Sequence, residues 1–139
     1  MRTAILSAAA VLLMLLAVSG CASQGESMES SPAQALQTIS AGDAILLISL
    51  DPTLTIIDVR TAGEYAAGHI PGAVNIDISS SFTEGLGKLD RDGTYLIYCA
   101  AGGKSSSALR IMEEEGFMNV YNIRRGISAW EMAGGAIVR

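Results

Sequence analysis

The amino-acid sequence predicts an α/β fold with a mainly parallel sheet. The first observation is that short runs rich in β-branched and aromatic residues, which are typical of buried strands, recur along the chain. The second is that helical stretches with capping signals separate these runs, and strands that alternate with helices pair in parallel. The third is length, because 139 residues are enough for one domain of this kind and no more.

The first twenty residues predict an export signal that is removed from the mature protein. The apolar run at residues 4–18 has the length of a signal-peptide core and is short for a bilayer span of roughly 20 residues. It leads to Ser19-Gly20-Cys21, which resembles the bacterial lipobox, in which the cysteine is lipidated and becomes the new N-terminus. We expect residues 1–20 to be a lipoprotein signal peptide and Cys21 to be the lipidation site. An ordinary signal peptide or a short membrane anchor is the alternative.

Residues 21–31 are expected to form a lipidated tether, because this stretch is polar and has no periodicity. Residues 32–139 then form the folded domain. Two or three acyl chains are enough for stable attachment to a membrane. We therefore expect an exported protein that is lipid-anchored to a bacterial membrane and faces the periplasm or the cell exterior. The residue after Cys21 is Ala22 and not an aspartate, which would resemble an inner-membrane retention signal. In a cell with two membranes, this favours the outer membrane.

The first half of the domain contains signals for three helices and two strands. Ser31-Pro32 predicts a short helix, with the serine as N-cap and the proline in the first turn. Thr61 and Glu64 have the spacing of a capping box and predict a helix that begins there. The other predictions are a helix at about residues 41–50 that ends at Asp51-Pro52, a buried strand at 54–59 and a short strand at 73–76.

The second half contains signals for three more helices and three strands. Gly116 is expected to end the longest helix in a left-handed conformation, which glycine adopts without steric cost. Gly134-Gly135 ends the last helix. The predicted elements are a short helix within 79–92, a strand at 95–98, a helix at 105–115, a strand at 119–123, a helix at about 127–132 and a final strand at 136–138.

Composition and charge exclude several functions. The chain has 9 Lys and Arg against 14 Asp and Glu, and a net charge of −5 disfavours nucleic acid, whose phosphates need a basic face. Its two cysteines cannot build a scaffold of several disulfides, and no Cys/His cluster has zinc-binding spacing. The single histidine argues against a histidine metal site. We expect neither a metal nor a nucleic-acid partner.

Cys99 is the strongest candidate for a reactive residue. It ends the predicted strand at 95–98, and sites in parallel α/β sheets form beyond the carboxyl ends of the strands. The small residues after it allow backbone N–H groups to form an anion-binding nest, a helix start adds partial positive charge, and Lys104 adds a full charge. All three favour the thiolate and predict a nucleophile for an anionic substrate. The alternative is a buried structural cysteine.

Three segments of the chain together resemble one protein family. Residues 98–105 read YCAAGGKS; residues 57–61 read IDVRT and precede Glu64-Tyr65 and the GHIPGAVN of 68–75; residues 121–123 read YNI and precede Gly126-Ile127 and Trp130. These segments resemble the active-site loop, the first motif and the C-terminal motif of rhodanese-like sulfurtransferases, over about residues 31–138. The resemblance implies a three-layer α/β/α domain around a parallel sheet of about five strands, with no organic cofactor and no metal.

The resemblance also implies a mechanism. Cys99 would attack the sulfane sulfur of a small anionic donor such as thiosulfate, sulfite would leave, and a thiol or cyanide would take the sulfur from the Cys99 persulfide. Lys104 would bind the sulfonate end of the donor as a point charge. Ala100 stands where many members of the family have arginine or another polar residue, which leaves the identity of the sulfur donor open. Arg125 stands where a second glycine is common, and we expect no functional effect of this difference. The anion-binding loop would comprise Ala100, Ala101, Gly102, Gly103, Lys104 and Ser105.

Other conspicuous residues are interpreted as structural. Asp58 and Arg60 follow a predicted strand and are expected to form an ion pair or to cap the next helix. Glu64 is the reciprocal half of the capping box. His69 is expected to be a hydrogen-bonded turn residue rather than a base, because a preformed thiolate needs none. Trp130 is expected to lie in the core.

Two other functions are compatible with the same fold. One is a non-enzymatic persulfide carrier or partner-binding module, since resemblance of fold does not settle activity. The other is a phosphatase, which the sequence disfavours. Such enzymes have five residues between the cysteine and an arginine that clamps phosphate, whereas Lys104 is the fifth residue after Cys99 and Ser105 the sixth.

Overall fold

The computed structural model describes residues 35–139. Its strands form one five-stranded sheet in the order β1-β5-β4-β2-β3, in which every neighbouring pair is parallel. The strands are β1 (Ala35–Ile39), β2 (Thr55–Asp58), β3 (Val74–Asn75), β4 (Thr94–Tyr98) and β5 (Asn119–Ile123). The helices are α1 (Ala41–Leu50), α2 (Ala62–Ala67), α3 (Phe82–Leu86), α4 (Gly103–Glu114) and α5 (Gly126–Met132). The predicted α/β fold is confirmed.

Two apolar cores lie on opposite faces of the sheet. Ile57 and Ile97 face one core, and their neighbours Ile56 and Leu96 face the other, because successive side chains of a strand point to opposite sides. Helices α3 and α4 cover the first face with buried residues that include Phe82, Leu86, Ala108 and Met112. Helices α1 and α5 cover the second face with Ala41, Ala44, Ile127 and Trp130. This confirms the three-layer arrangement and the core position of Trp130.

The prediction of a short helix opened by Ser31-Pro32 is wrong for the part of the chain that the structure describes. Residues 35–39 form the edge strand β1, which pairs with β5 from Ala35 opposite Asn119 to Ile39 opposite Ile123. The serine and the proline themselves lie outside the described residues, as do residues 1–30. Capping residues indicate only the local preference of the chain for a helix. Residues 35–39 form a strand instead because they hydrogen-bond to the edge of β5, which is distant in sequence.

The remaining elements follow the sequence signals with small shifts. The Ser40 hydroxyl oxygen accepts a hydrogen bond from the Asp43 N–H at 3.1 Å, which fixes the start of α1. Gly116 has a φ of 84°, as its predicted role after α4 requires. The predicted final strand at 136–138 is reduced to one antiparallel bridge, in which His69 and Val138 exchange both backbone hydrogen bonds at 2.9 Å. No helix within residues 35–139 is long and apolar enough to cross a membrane.

Candidate functional site

Cys99 directly follows β4, and the residue is 2% exposed. Its Sγ accepts hydrogen bonds from the Gly102 N–H at 3.1 Å and from the Ser105 hydroxyl at 3.4 Å. Burial opposes ionisation, but hydrogen bonds from the Ser105 side chain and from the N–H groups of Ser105, Gly102 and Ala101 outweigh it. They lower the pKa of the Cys99 thiol below its usual value. The geometry therefore favours a thiolate.

The N-terminus of α5 holds the peptide groups of the cysteine loop in orientation. The Ile127 N–H donates to the Cys99 carbonyl oxygen at 2.8 Å. Ser128 donates to the Ala100 carbonyl oxygen through its N–H at 3.3 Å and through its hydroxyl at 3.0 Å. Since these carbonyl groups are turned toward α5, the following N–H groups are free to point at the sulfur. Ile127 and Ser128 therefore orient the cysteine loop through their hydrogen bonds, a role that the sequence does not predict for them.

Gly126 makes this close contact possible. A Cβ on Gly126 would lie 2.1 Å from the Cys99 carbonyl oxygen, and its φ is 60°. Its neighbour Arg125 adopts a φ of 63°, the one positive value among the non-glycine residues that the structure describes. Gly102 completes the contact, because a Cβ there would lie 3.0 Å from the Arg125 nitrogen. The only sequence signal for this packing is the glycine of the C-terminal motif.

A cavity of about 250 Å³ opens in front of Cys99. Lys104 stands exposed in the first turn of α4 and lines this opening. The sequence predicts that Lys104 favours the thiolate, but the hydrogen bonds from Ser105 and the loop are what lower the pKa of Cys99. Ser105 is buried behind the sulfur instead of facing the cavity. The other lining residues are Arg60, Glu64, Cys99, Ala100, Ala101 and Gly103.

Asp58 and Arg60 form a buried ion pair at the carboxyl end of β2. Arg60 Nη2 lies 2.6 Å from Asp58 Oδ2, and Nε lies 3.0 Å from both carboxylate oxygens. Nη2 also donates to the Gly68 carbonyl oxygen at 2.6 Å. Burial opposes the charge of Arg60, but the bonds to Asp58 prevail and raise the pKa of its guanidinium. The predicted ion pair is confirmed, and it places Arg60 in the wall of the Cys99 cavity.

Glu64 and His69 have the structural contacts that the sequence predicts. The Thr61 hydroxyl oxygen accepts from the Glu64 N–H at 3.3 Å while the Glu64 carboxylate accepts from the Thr61 N–H at 3.2 Å, which completes the capping box. The bond from the Thr61 side chain lowers the pKa of Glu64. His69 Nδ1 lies 2.9 Å from the Tyr65 carbonyl oxygen, and its ring stacks on the Tyr65 ring at 3.7 Å. His69 does not line the Cys99 cavity.

Fold and site together define a class of protein, an α/β domain that presents an activated cysteine at the carboxyl edge of a parallel sheet. The family model described as the Rhodanese-like domain matches residues 31–133. The chain belongs to the rhodanese-like family. The position of the cysteine, the all-parallel five-stranded sheet and the covering helices agree with this membership.

Several known proteins with similar sequences are sulfurtransferases by name, and another is the putative sulfur carrier protein YrkF of Bacillus subtilis, 32% identical over 107 residues, which are 77% of this chain and 57% of that protein. The putative sulfurtransferase YtwF of Bacillus subtilis is 38% identical over 84 residues, which are 60% of this chain and 80% of that protein. The thiosulfate sulfurtransferase GlpE of Pseudomonas entomophila is 37% identical over 75 residues, which are 54% of this chain and 68% of that protein. The crystal structure of a rhodanese-related protein from Thermoplasma volcanium matches with a TM-score of 0.66 at 31% identity, over 73% of this chain and 97% of that chain.

Proposed function

We propose that this protein is a sulfurtransferase that moves a sulfane sulfur from a small anionic donor, such as thiosulfate, to a thiol or to cyanide. The Cys99 thiolate attacks the outer sulfur of thiosulfate, a bond forms between Sγ and that sulfur, and the bond to sulfite breaks. Sulfite leaves with the electron pair. The acceptor then attacks the outer sulfur of the Cys99 persulfide, and Sγ leaves as a thiolate. Neither an external oxidant nor a cofactor enters this cycle.

The hydrogen bonds to Sγ are the observation that carries the proposal. A thiolate that is held by a backbone N–H and a hydroxyl, and that faces an open cavity, is a suitable nucleophile for an anionic donor. The same groups would stabilise the persulfide after transfer. Arg60 and Lys104 in the cavity wall provide positive charge toward the leaving sulfite. The names of the relatives support the same chemistry.

Mass spectrometry of the purified protein after incubation with thiosulfate tests the proposal. We expect one added sulfur on Cys99, its removal by cyanide or a thiol, and many cycles per molecule. Cys99→Ser should neither gain the sulfur nor turn over. A persulfide that forms but does not turn over with any acceptor would instead indicate a sulfur carrier. Hydrolysis of phosphate esters without any reaction with sulfur donors would indicate a phosphatase.

We also propose that the protein is exported and anchored to a membrane by lipid on Cys21. The support is the sequence alone, namely the apolar run at 4–18 and the lipobox-like residues before the cysteine. Cells that express the full-length chain should incorporate a radioactive fatty acid into it, and Cys21→Ala should remove the label. An unprocessed chain in the soluble fraction would contradict the proposal.

A further inference from the structure

Asn122 is a buried polar residue on the face of the sheet that α4 covers. It lies on β5, is 1% exposed, and pairs across the sheet with Ile97 of β4. Its Oδ1 atom is buried and has no hydrogen-bond partner among residues 35–139. Buried polar atoms in folded proteins are nearly always hydrogen-bonded, so an orphaned acceptor here needs a reason. An apolar side chain at this position would avoid the cost of that acceptor.

The amide nitrogen of Asn122 joins β1 to the start of α4. Nδ2 donates to the Thr38 hydroxyl oxygen on β1 at 3.2 Å and to the Ser106 hydroxyl oxygen on α4 at 3.4 Å. Ser106 uses its own hydroxyl proton for the Gly102 carbonyl oxygen at 2.7 Å. Because that proton is committed, Ser106 accepts from Asn122, and the amide presents Nδ2 to it rather than Oδ1.

Two serine hydroxyls lie within reach of the Gly102 carbonyl oxygen. The Ser105 hydroxyl has one proton and two acceptors nearby, the Gly102 carbonyl oxygen at 3.3 Å and Cys99 Sγ at 3.4 Å. Ser106 already binds that carbonyl oxygen through its N–H at 3.1 Å and through its hydroxyl at 2.7 Å. A carbonyl oxygen has two lone pairs, so these two bonds occupy it and leave the Ser105 proton for the sulfur.

We propose that Asn122 is a positioning residue for the Cys99 thiolate. Its Nδ2 holds the Ser106 hydroxyl on the Gly102 carbonyl oxygen, and this directs the Ser105 hydroxyl to Sγ. The unpaired Oδ1 is the consequence of turning Nδ2 toward both hydroxyl oxygens. The inference rests on the proposed function, because it names residues that prepare the nucleophile of that reaction. Without Asn122, the exposed Ser106 hydroxyl turns to solvent, and the Ser105 proton is shared between the carbonyl oxygen and the sulfur.

The pH dependence of alkylation tests the inference, since iodoacetamide reacts with the thiolate and not with the thiol. The purified full-length protein is alkylated across a pH series, and peptide mass spectrometry follows Cys99 separately from Cys21. Asn122→Val removes both polar atoms and suits a strand. We expect it to move the acidic limb of the alkylation rate to higher pH and to slow the reaction about threefold on that limb. The effect is smaller than the roughly tenfold expected when the Ser105 hydroxyl is removed, because a neutral hydrogen bond is about half as strong as one to a charged group.

Ser106→Ala tests the same link from its other end. Ser106 is exposed, so this variant decides the question if Asn122→Val fails to fold, and it should produce the same shift. Because both residues act through Ser105, neither substitution should change the profile further in a Ser105→Ala background. Ser107→Ala is the matched control, since Ser107 lies on the same helix and no described hydrogen bond involves its hydroxyl. A thermal melt verifies that each variant is folded.

The charged groups around the cysteine cavity are the same in all of these variants, so they do not account for a shift. None of them shares a described hydrogen bond with Asn122, Ser105 or Ser106. These groups are Asp58, Arg60, Glu64, Asp77, Lys104 and Arg125.

The outcomes separate this inference from the function on which it rests. An unchanged profile in either folded variant, Asn122→Val or Ser106→Ala, would overturn the inference whether or not a persulfide forms. An equal shift in Ser107→Ala, or a further shift in the Ser105→Ala background, would also overturn it, because the effect would then not pass through Ser105. The expected shifts in a protein that forms no persulfide with any sulfur donor would support the positioning role and overturn the proposed function.

Discussion

Gly126 lies directly beneath Cys99, so close that a Cβ on the glycine would come within 2.1 Å of the cysteine carbonyl oxygen. The contact joins the N-terminus of α5 to the loop that carries the sulfur. Because backbone atoms form both sides of it, neither side can rotate away, and any added atom must displace the loop.

Gly126→Ala should therefore impair both the fold and the site. We expect the free energy of unfolding to fall by about 1–3 kcal/mol, as for other overpacked positions, and Cys99 to react more slowly with iodoacetamide as its N–H donors shift. Urea denaturation and alkylation rates measure the two effects. Gly63→Ala is the control, because a Cβ on Gly63 in α2 would meet nothing within 4 Å. Equal stability of the two variants would contradict the role of the contact.

Ser105 should set the pH dependence of the cysteine. Its hydroxyl stabilises the thiolate at 3.4 Å, so Ser105→Ala removes a cause that lowers the pKa of Cys99. The thiolate then forms only at higher pH, and the acidic limb of persulfide formation moves to higher pH. At a pH on that limb the rate should fall about tenfold, as expected for one hydrogen bond to a charged group. Ser107→Ala, on the same helix without a described bond to the sulfur, should leave the profile in place.

The Asp58–Arg60 pair should be costly to break. Asp58→Asn leaves the buried Arg60 guanidinium without its counter-charge, and we expect a loss of about 3–5 kcal/mol in the free energy of unfolding. Glu84→Gln removes one partner of the exposed Lys88–Glu84 pair and should cost less than about 1 kcal/mol. Chemical denaturation measures both. Similar small losses in the two variants would mean that Arg60 is not held by this pair.

The Tyr98 hydroxyl should stabilise the turn that precedes β3. It accepts a hydrogen bond from the Ile70 N–H at 3.1 Å, and both residues are buried. Tyr98→Phe leaves that N–H without a partner, which costs about 1–3 kcal/mol. Tyr121→Phe, which removes a hydroxyl without a described hydrogen bond from a partly exposed residue, should be nearly neutral in the same thermal melts. A neutral Tyr98→Phe would show that the turn does not depend on this bond.

Much of the fold could be predicted because its signals are local. The bounds of α1 and β5, the capping box at Thr61 and the turn at Gly116 follow from patterns within a few residues. The identity of the edge strand β1 could not be predicted in this way, since its strand character comes from pairing with β5 more than eighty positions away. The periodicity of apolar residues along a sequence gives no information about long-range contacts of this kind.

The candidate site divides in the same way. Cys99 and its loop stand out because strand end, small residues and helix start are adjacent in sequence. The pairing of Asp58 with Arg60 is equally local. The contribution of Ile127 and Ser128 could not be predicted, because the N-terminus of α5 reaches the cysteine loop only when the sheet is assembled.

The parallel register of the sheet also determines where the described chain begins relative to Cys99. Ala35, where the described chain begins, shares a row with Asn119 and Thr94, and Cys99 stands five residues further along β4. At about 3.3 Å per residue the two ends of that path are roughly 17 Å apart, on opposite rims of the sheet. The described chain therefore enters the sheet at one rim and presents its reactive sulfur at the opposite rim.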